Sequence, residues 1–176
     1  MRQLKLILAS VFLISPLAAN AVPITLDFTV SGFGVSNGNA APTDPVSGTI
    51  VYDAAGLGAT INSLTSISLT LNGYVYSLSE IDFQSPFGGN TDIIYGSLSG
   101  TGISNLTNDF WIRFDRVAAT GFDFAYASAS LSGIWTSMSF TSFSLRAATV
   151  PEPGTLSLLG VGLLGFAMLR RRRRTA

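Results

Sequence analysis

The sequence predicts an all-β body, an antiparallel β-sandwich of jelly-roll type, flanked by an apolar segment at each end of the chain. Three observations lead to this prediction. Hydrophobic side chains recur at every second position through residues 22–149, Asn72-Gly73 has the composition of a tight hairpin turn, and no stretch of the body has a convincing helical repeat. About nine strands, separated by loops rich in Gly, Asn, Ser and Pro, are expected.

The N-terminal segment has the three parts of a secretory signal peptide. Arg2 and Lys5 supply the positively charged start, an apolar run follows over residues 6–14, and Ala19 and Ala21 provide the small residues of an A-x-A cleavage site. The apolar run is too short to span a bilayer. We therefore predict export, with signal peptidase cleaving after Ala21.

The strands of the body are predicted from apolar side chains that alternate with polar ones, so that one face of each strand packs on the core and the other meets water. Four strands are defined by Ile24, Leu26, Phe28 and Val30; by Ile67, Leu69 and Leu71; by Phe110, Ile112 and Phe114; and by Phe122, Phe124 and Tyr126. The Asn72-Gly73 turn should pair a strand near 66–71 with one near 74–79. In the last strand, the apolar phase changes between Phe140 and Phe143, which predicts a bulge near Thr141-Ser142.

The composition excludes the commonest catalytic groups. The chain has no histidine and no cysteine, which rules out Ser-His-Asp and Cys-His catalysis, zinc sites built from these residues, and disulfides. Glu80 and Asp82 would share one face of a strand, as a glycan hydrolase would need, but a solvated acidic strand is the commoner explanation. We expect no catalytic site and no cofactor. Calcium binding is a side hypothesis, because nine acidic residues and many asparagine and loop carbonyls offer oxygen ligands, although no EF-hand-type loop is present.

Trp111 is the residue we single out as a glycan contact. It alternates with Phe110 and Ile112 and is therefore expected to face outward, beside Arg113. An exposed aromatic ring can stack on a sugar, although aromatic residues in strands more often pack in the core or against a neighbouring strand. Five further aromatic residues could extend such a platform: Trp135, Tyr74, Tyr76, Tyr95 and Tyr126.

The C-terminal segment combines a charged tripeptide, an apolar run and a basic end. Pro151, Glu152 and Pro153 precede an apolar run that continues to Leu169. A transmembrane helix over about 155–169 would be marginally long enough to span the bilayer. The run is followed by Arg170, Arg171, Arg172, Arg173 and Arg174. The positive-inside rule leaves these arginines in the cytoplasm, as a stop-transfer signal.

This order of parts resembles the PEP-CTERM sorting signal of Gram-negative bacteria. The resemblance implies that Pro151, Glu152 and Pro153 are recognised by exosortase, an integral-membrane enzyme similar to cysteine transpeptidases. It also implies that the following helix anchors the protein transiently in the inner membrane. The substrates of exosortase are typically exported proteins of bacteria that make extracellular polysaccharide. The resemblance covers only the tail and implies nothing about the body.

Three regions are therefore expected: a signal peptide (1–21), a β-sandwich ectodomain (22–149) and a sorting signal (150–176). We expect an exported, exosortase-sorted protein of the cell surface or extracellular matrix, without enzymatic activity, associated with exopolysaccharide or biofilm. A carbohydrate-binding module is the alternative, and a carboxylate-dependent glycan hydrolase a more distant one. The body carries nine acidic residues and three arginines, a net charge of −6, so its expected partners are neutral glycans, cations or envelope surfaces rather than nucleic acid.

Overall fold

The computed structural model describes residues 21–97 and 100–148, and these form ten strands and one 3₁₀ turn. In chain order the elements are β1 (Val22–Ser31), β2 (Val46–Ala54), β3 (Ile61–Leu71), β4 (Tyr74–Val75), the 3₁₀ turn (Leu78–Glu80), β5 (Asp82–Gly88), β6 (Thr91–Gly96), β7 (Phe110–Asp115), β8 (Thr120–Ser128), β9 (Leu131–Ser137) and β10 (Ser139–Ala147).

The strands form two five-stranded antiparallel sheets, which confirms the all-β prediction. The first sheet has the order β10-β1-β2-β3-β4 and the second the order β5-β6-β7-β8-β9. Consecutive strands are neighbours in each sheet, and only β10 returns across the molecule to pair with β1. The jelly-roll topology that we predicted is therefore wrong. Because hairpin connections keep successive strands in one sheet, each sheet is built as a meander rather than by the crossings of a Greek key.

The core lies between the two sheets and is rich in aromatic rings. The alternation predicted for β1 and β7 is confirmed, since the inward side chains of both strands are buried. Phe28 of the first sheet lies 5.5 Å from Phe124 of the second, and Tyr52 lies 6.4 Å from Phe114, measured between ring centroids. These ring pairs join the sheets, and each contributes about 0.5–1.5 kcal/mol beyond the area that it buries.

The hairpin turn at Asn72-Gly73 is confirmed, although its second strand is shorter than predicted. Both turn residues have the positive φ of a type I′ turn, 47° and 78°, and Leu71 pairs directly with Tyr74. However, β4 ends at Val75 instead of continuing to residue 79. The chain turns away because Ser77 and Glu80 close a 3₁₀ turn through a capping box.

The region predicted as one last strand is divided between the two sheets. Strand β9 ends at Ser137 in the second sheet, and β10 begins at Ser139 in the first, with only Met138 between them. The predicted bulge is present in β10: Thr29 pairs with Ser142 and Val30 with Phe140, so Thr141 has no partner in the ladder. The change of apolar phase was correctly read as a bulge, but the crossing between sheets was missed.

A second bulge overturns the prediction for Phe122. Arg113 pairs with Asp123 and Phe114 with Gly121, which leaves Phe122 as the extra residue of β8. Its side chain is 45% exposed, although we expected it in the core. A Cβ on the neighbouring Gly121 would lie 2.6 Å from the Phe140 ring, so any larger residue there would force the ring to shift. Phe140 packs beside Gly121, and the bulge turns the Phe122 side chain outward.

Several predictions concern residues outside the part of the chain that the structure describes. Of the predicted signal peptide only Ala21 is described, so Ala19 lies outside the described residues. The predicted membrane helix, the tripeptide at 151–153 and the arginines at 170–174 also lie outside them. Within residues 21–97 and 100–148, no helix is long and apolar enough to cross a membrane.

Candidate functional site

Strands β6 and β7 bring two of the candidate glycan-contact residues, Tyr95 and Trp111, together on the outer face of the second sheet, the face turned away from the core. Trp111 lies on this face, partly exposed, because Phe110 and Ile112 on either side of it point into the core. Its neighbours in the ladder are Tyr95 on β6 and Ala125 on β8. A large ring therefore stands beside a second aromatic residue on one side and a small residue on the other.

Arg113 covers one face of the Trp111 ring. Its guanidinium carbon lies 4.2 Å from the ring centroid, which is the geometry of a cation–π contact. The same guanidinium forms a two-pronged ion pair with Asp123, in which Nε donates to Oδ1 at 2.7 Å and Nη2 donates to Oδ2. The hydrogen bonds that Arg113 donates to Asp123 raise the pKa of Arg113 above its usual value. A sugar could therefore stack only on the other face of Trp111, or would have to displace a well-held arginine.

A groove of about 520 Å³ lies beside this ion pair. Its apolar wall is formed by Phe87, Phe122 and Met138, whose side chains are 38%, 45% and 76% exposed. The polar part of its lining comes from Thr91, Arg113 and Asp123. We call these residues the outer groove.

Sequence reasoning missed the apolar wall of the outer groove. Phe122 is turned outward by a bulge, and Met138 lies where the chain crosses between the sheets. Phe87 follows Pro86 and belongs to the edge strand β5. Phe122 keeps the spacing of Phe124 and Tyr126, so the apolar alternation in the sequence gives no sign that it is exposed.

Most of the other aromatic candidates are structural. Trp135, Tyr76 and Tyr126 are buried in the core. Their polar atoms are used within the fold: Trp135 Nε1 donates to Asn39 O at 3.1 Å, and the Tyr76 hydroxyl donates to Asn108 O at 3.1 Å. Tyr74, on the first sheet, is partly buried against Tyr76, with 5.0 Å between the ring centroids. The predicted platform is thereby reduced to the outward pair, Trp111 and Tyr95.

Glu80 and Asp82 do not form the shared-face pair that we considered. Glu80 lies in the 3₁₀ turn, where it accepts a hydrogen bond from the Ser77 backbone N–H at 2.8 Å and another from the Tyr74 hydroxyl. Hydrogen bonds from the Ser77 side chain and from Tyr74 are the main causes of the lowered pKa of Glu80. Asp82 begins β5 and accepts from the backbone N–H of Phe83 at 2.8 Å. Glu80 therefore has a local structural role.

The most buried carboxylate belongs to Asp92, which points into the sandwich. Its Oδ1 accepts from Ser85 Oγ at 2.6 Å and from Arg116 Nη1 at 3.0 Å. Burial raises the pKa of Asp92 despite these two partners. Asp92 Oδ2 and Arg116 Nε are buried without a hydrogen-bond partner. In the described part of the chain, no group of three or more carboxylates is arranged to hold a metal ion.

The comparisons with known proteins concern the C-terminal segment. Residues 149–174 match the family described as the PEP-CTERM protein-sorting motif, which confirms the resemblance found in the sequence. The motif begins two residues after the end of β10 and contains the tripeptide at 151–153. It indicates an exported protein that is sorted by exosortase, and it implies membrane-anchored sorting in Gram-negative bacteria. No curated protein and no solved structure matches the chain.

Proposed function

We propose that this chain, which carries a PEP-CTERM sorting motif, is an exported precursor whose β-sandwich body works at the cell surface or in the extracellular matrix without catalysing a reaction. The single observation that carries the proposal is the motif at residues 149–174. The body would be led out by the signal peptide, held at the inner membrane by the apolar run, and released by exosortase. Its expected association is with extracellular polysaccharide.

The side chains of the body support a non-catalytic function. Histidine and cysteine are absent from the whole chain. Three carboxylates of the body are engaged in the fold: Asp123 pairs with Arg113, Asp92 with Arg116, and Glu80 closes a turn. A carboxylate held by an ion pair or a cap is a poor proton donor at neutral pH when its pKa is lowered, as that of Glu80 is.

Mass spectrometry of the mature protein tests the sorting step. We expect an intact mass that lacks residues 1–21 and also lacks the arginines at 170–174. A triple alanine variant of Pro151, Glu152 and Pro153 should keep its C-terminus and remain in the inner membrane. Wild-type protein with the full-length C-terminus in the outer envelope would refute the proposal.

A second candidate function, carbohydrate binding, is favoured by the outer groove. A sugar presents an apolar C–H surface and a rim of hydroxyl groups, and the groove offers both kinds of contact. Phe87, Phe122 and Met138 would meet the apolar surface, while Arg113 and Thr91 would bind hydroxyl groups. Because the body has a net charge of −6, a neutral glycan fits it better than an anionic one.

Glycan-array binding distinguishes a carbohydrate-binding function of the body from a purely structural one. Phe122→Ala should weaken binding by about 3- to 10-fold, the value of one aromatic contact. Trp111→Ala should weaken it as well, through loss of the ring that supports Arg113. Leu106→Ala is the matched control, because Leu106 is 54% exposed in the loop between β6 and β7, which is not part of the groove. Equal and negligible binding by all four proteins would exclude the carbohydrate function.

A further inference from the structure

The chain leaves the described part of the body at the end of the sandwich where β1 begins. Ala147 pairs with Ile24, and the backbone N–H of Ala148 donates to Pro23 O at 2.8 Å. The last described residue is therefore held against the first strand. We call this end of the sandwich the tether end, because the sorting motif follows directly.

Two loops lie side by side at the tether end. The loop over 55–60 joins β2 to β3, and Val22 pairs with Ala54, so this loop starts beside the beginning of β1. The loop over 116–119 joins β7 to β8. A Cβ placed on Gly58 would lie 3.8 Å from Val117 Cγ2, which places the two loops next to each other.

Each loop exposes one large apolar side chain. Leu57 is 58% exposed and Val117 is 60% exposed. Residues 55–60 and 117–119 are all uncharged, the neighbouring Arg116 is directed inward to Asp92, and the Asp115 carboxylate is turned to the backbone of its own loop. An uncharged tip that exposes leucine and valine is suited to an apolar surface.

The tips are also held in place by hydrogen bonds. The carboxylate of Asp115 accepts from the backbone N–H groups of Val117 and Ala118, both at 2.8 Å. In the other loop, Ala59 N donates to Gly56 O at 3.1 Å. Since both backbones are fixed locally, the side chains of the tips can enter a partner with little further loss of conformational entropy.

The length of chain between the body and the apolar run points to the lipid surface as the partner of these tips. Eight residues lead from Ala148 to Leu156, where the apolar run begins. An extended chain of that length spans at most about 28 Å. While the apolar run is in the membrane, the tether end must therefore stay close to the lipid surface.

We infer that Leu57 and Val117 form a membrane-contact patch that seats the body on the lipid surface while the sorting motif is still attached. The inference rests on the membrane-anchored sorting that the motif implies. Two apolar side chains bind a bilayer weakly by themselves, but the tether raises their effective concentration at the surface. Cleavage of the tether would abolish that advantage, so the same patch permits release.

Single nitroxide labels test the patch, and the cysteine-free sequence makes them site-specific. The full-length chain is reconstituted into phosphatidylethanolamine and phosphatidylglycerol vesicles without any other protein. Labels are placed on Leu57→Cys and Val117→Cys, and on Val35→Cys and Leu106→Cys as matched controls. The controls are 72% and 54% exposed, and they lie in loops at the opposite end of the sandwich. A label on Leu163→Cys reports whether the tail is inserted.

The readout is the collision rate with oxygen, which concentrates in lipid, relative to that with a water-soluble nickel complex. We expect a higher ratio at 57 and 117 than at 35 and 106. A label on Ala118→Cys should show the same high ratio in an otherwise wild-type chain. It should lose that high ratio when Leu57→Ser and Val117→Ser are combined with it. With the tail inserted, equal ratios at all four loop positions would overturn the patch. A water-exposed label at 163 would overturn the anchoring itself and the inference with it.

Discussion

The buried pair of Asp92 and Arg116 allows the sharpest prediction about the stability of the body. Asp92 is 0% exposed and the Arg116 side chain 10%, and one hydrogen bond of 3.0 Å joins them. Arg116→Met keeps most of the apolar stem but removes the charge. It leaves the Asp92 carboxylate inside the sandwich with the Ser85 hydroxyl, which donates to it at 2.6 Å. Breaking such a pair costs about 3–5 kcal/mol, so we expect that loss in the free energy of unfolding at pH 7.

The predicted loss also depends on pH. Burial already raises the pKa of Asp92, and removing the arginine raises it further. A raised pKa in the folded state means that the folded protein binds the proton more tightly than the unfolded chain does. The stability contributed by this protonated carboxyl is fully present below the unfolded pKa of about 4 and is lost as pH rises through the folded pKa. Arg116→Met should therefore be least destabilising in acid and most destabilising at neutral pH.

Urea denaturation, followed by the fluorescence of the buried Trp135, measures both effects. The control is the double variant Asp92→Asn/Arg116→Met, which has no buried charge and keeps a polar group for Ser85. It should recover most of the lost stability, and its difference from the wild type should vary little with pH. A loss below about 1 kcal/mol for Arg116→Met, or a double variant as unstable as Arg116→Met, would refute the reasoning.

Two further predictions concern local contacts. Gly121→Ala places a Cβ 2.6 Å from the Phe140 ring and should cost about 1–3 kcal/mol in thermal or urea unfolding, whereas Gly34→Ala, with nothing within 4 Å, should change stability little; equal losses would argue against the close packing. Glu80→Gln should destabilise at neutral pH, because the hydrogen bonds that lower the pKa of Glu80 favour its charged form, and the difference from wild type should vanish as pH falls through the folded pKa. A difference that persists in acid would assign the loss to something other than the charge on Glu80.

The pattern of residues along the chain was sufficient to predict those features of the fold whose physical cause lies within one short segment. The burial of β1 follows from the alternation of its own side chains, and the turn at Asn72-Gly73 follows from the positive φ that these two residues tolerate. The sorting motif is a continuous stretch of chain, so its composition and order identify it without a fold.

The groove was not predictable in this way, because its exposed residues depend on distant contacts. Phe122 has the spacing of a core residue, and it faces outward because Phe140, from a strand eighteen positions further along the chain, occupies the space beside Gly121. Met138 is exposed because two strands that look continuous in sequence belong to different sheets. Neither effect leaves a periodic signal.

The sequence by itself determined the all-β class of the body, the hairpin turn at Asn72-Gly73 and the sorting motif, since each depends on residues that are close in the chain. Only the tertiary structure decided the meander topology, the pairing of Asp92 with Arg116 and the meeting of the Leu57 and Val117 loops at the tether end. These features depend on which strands become neighbours, and that choice is made by packing across the whole sandwich rather than by any one segment.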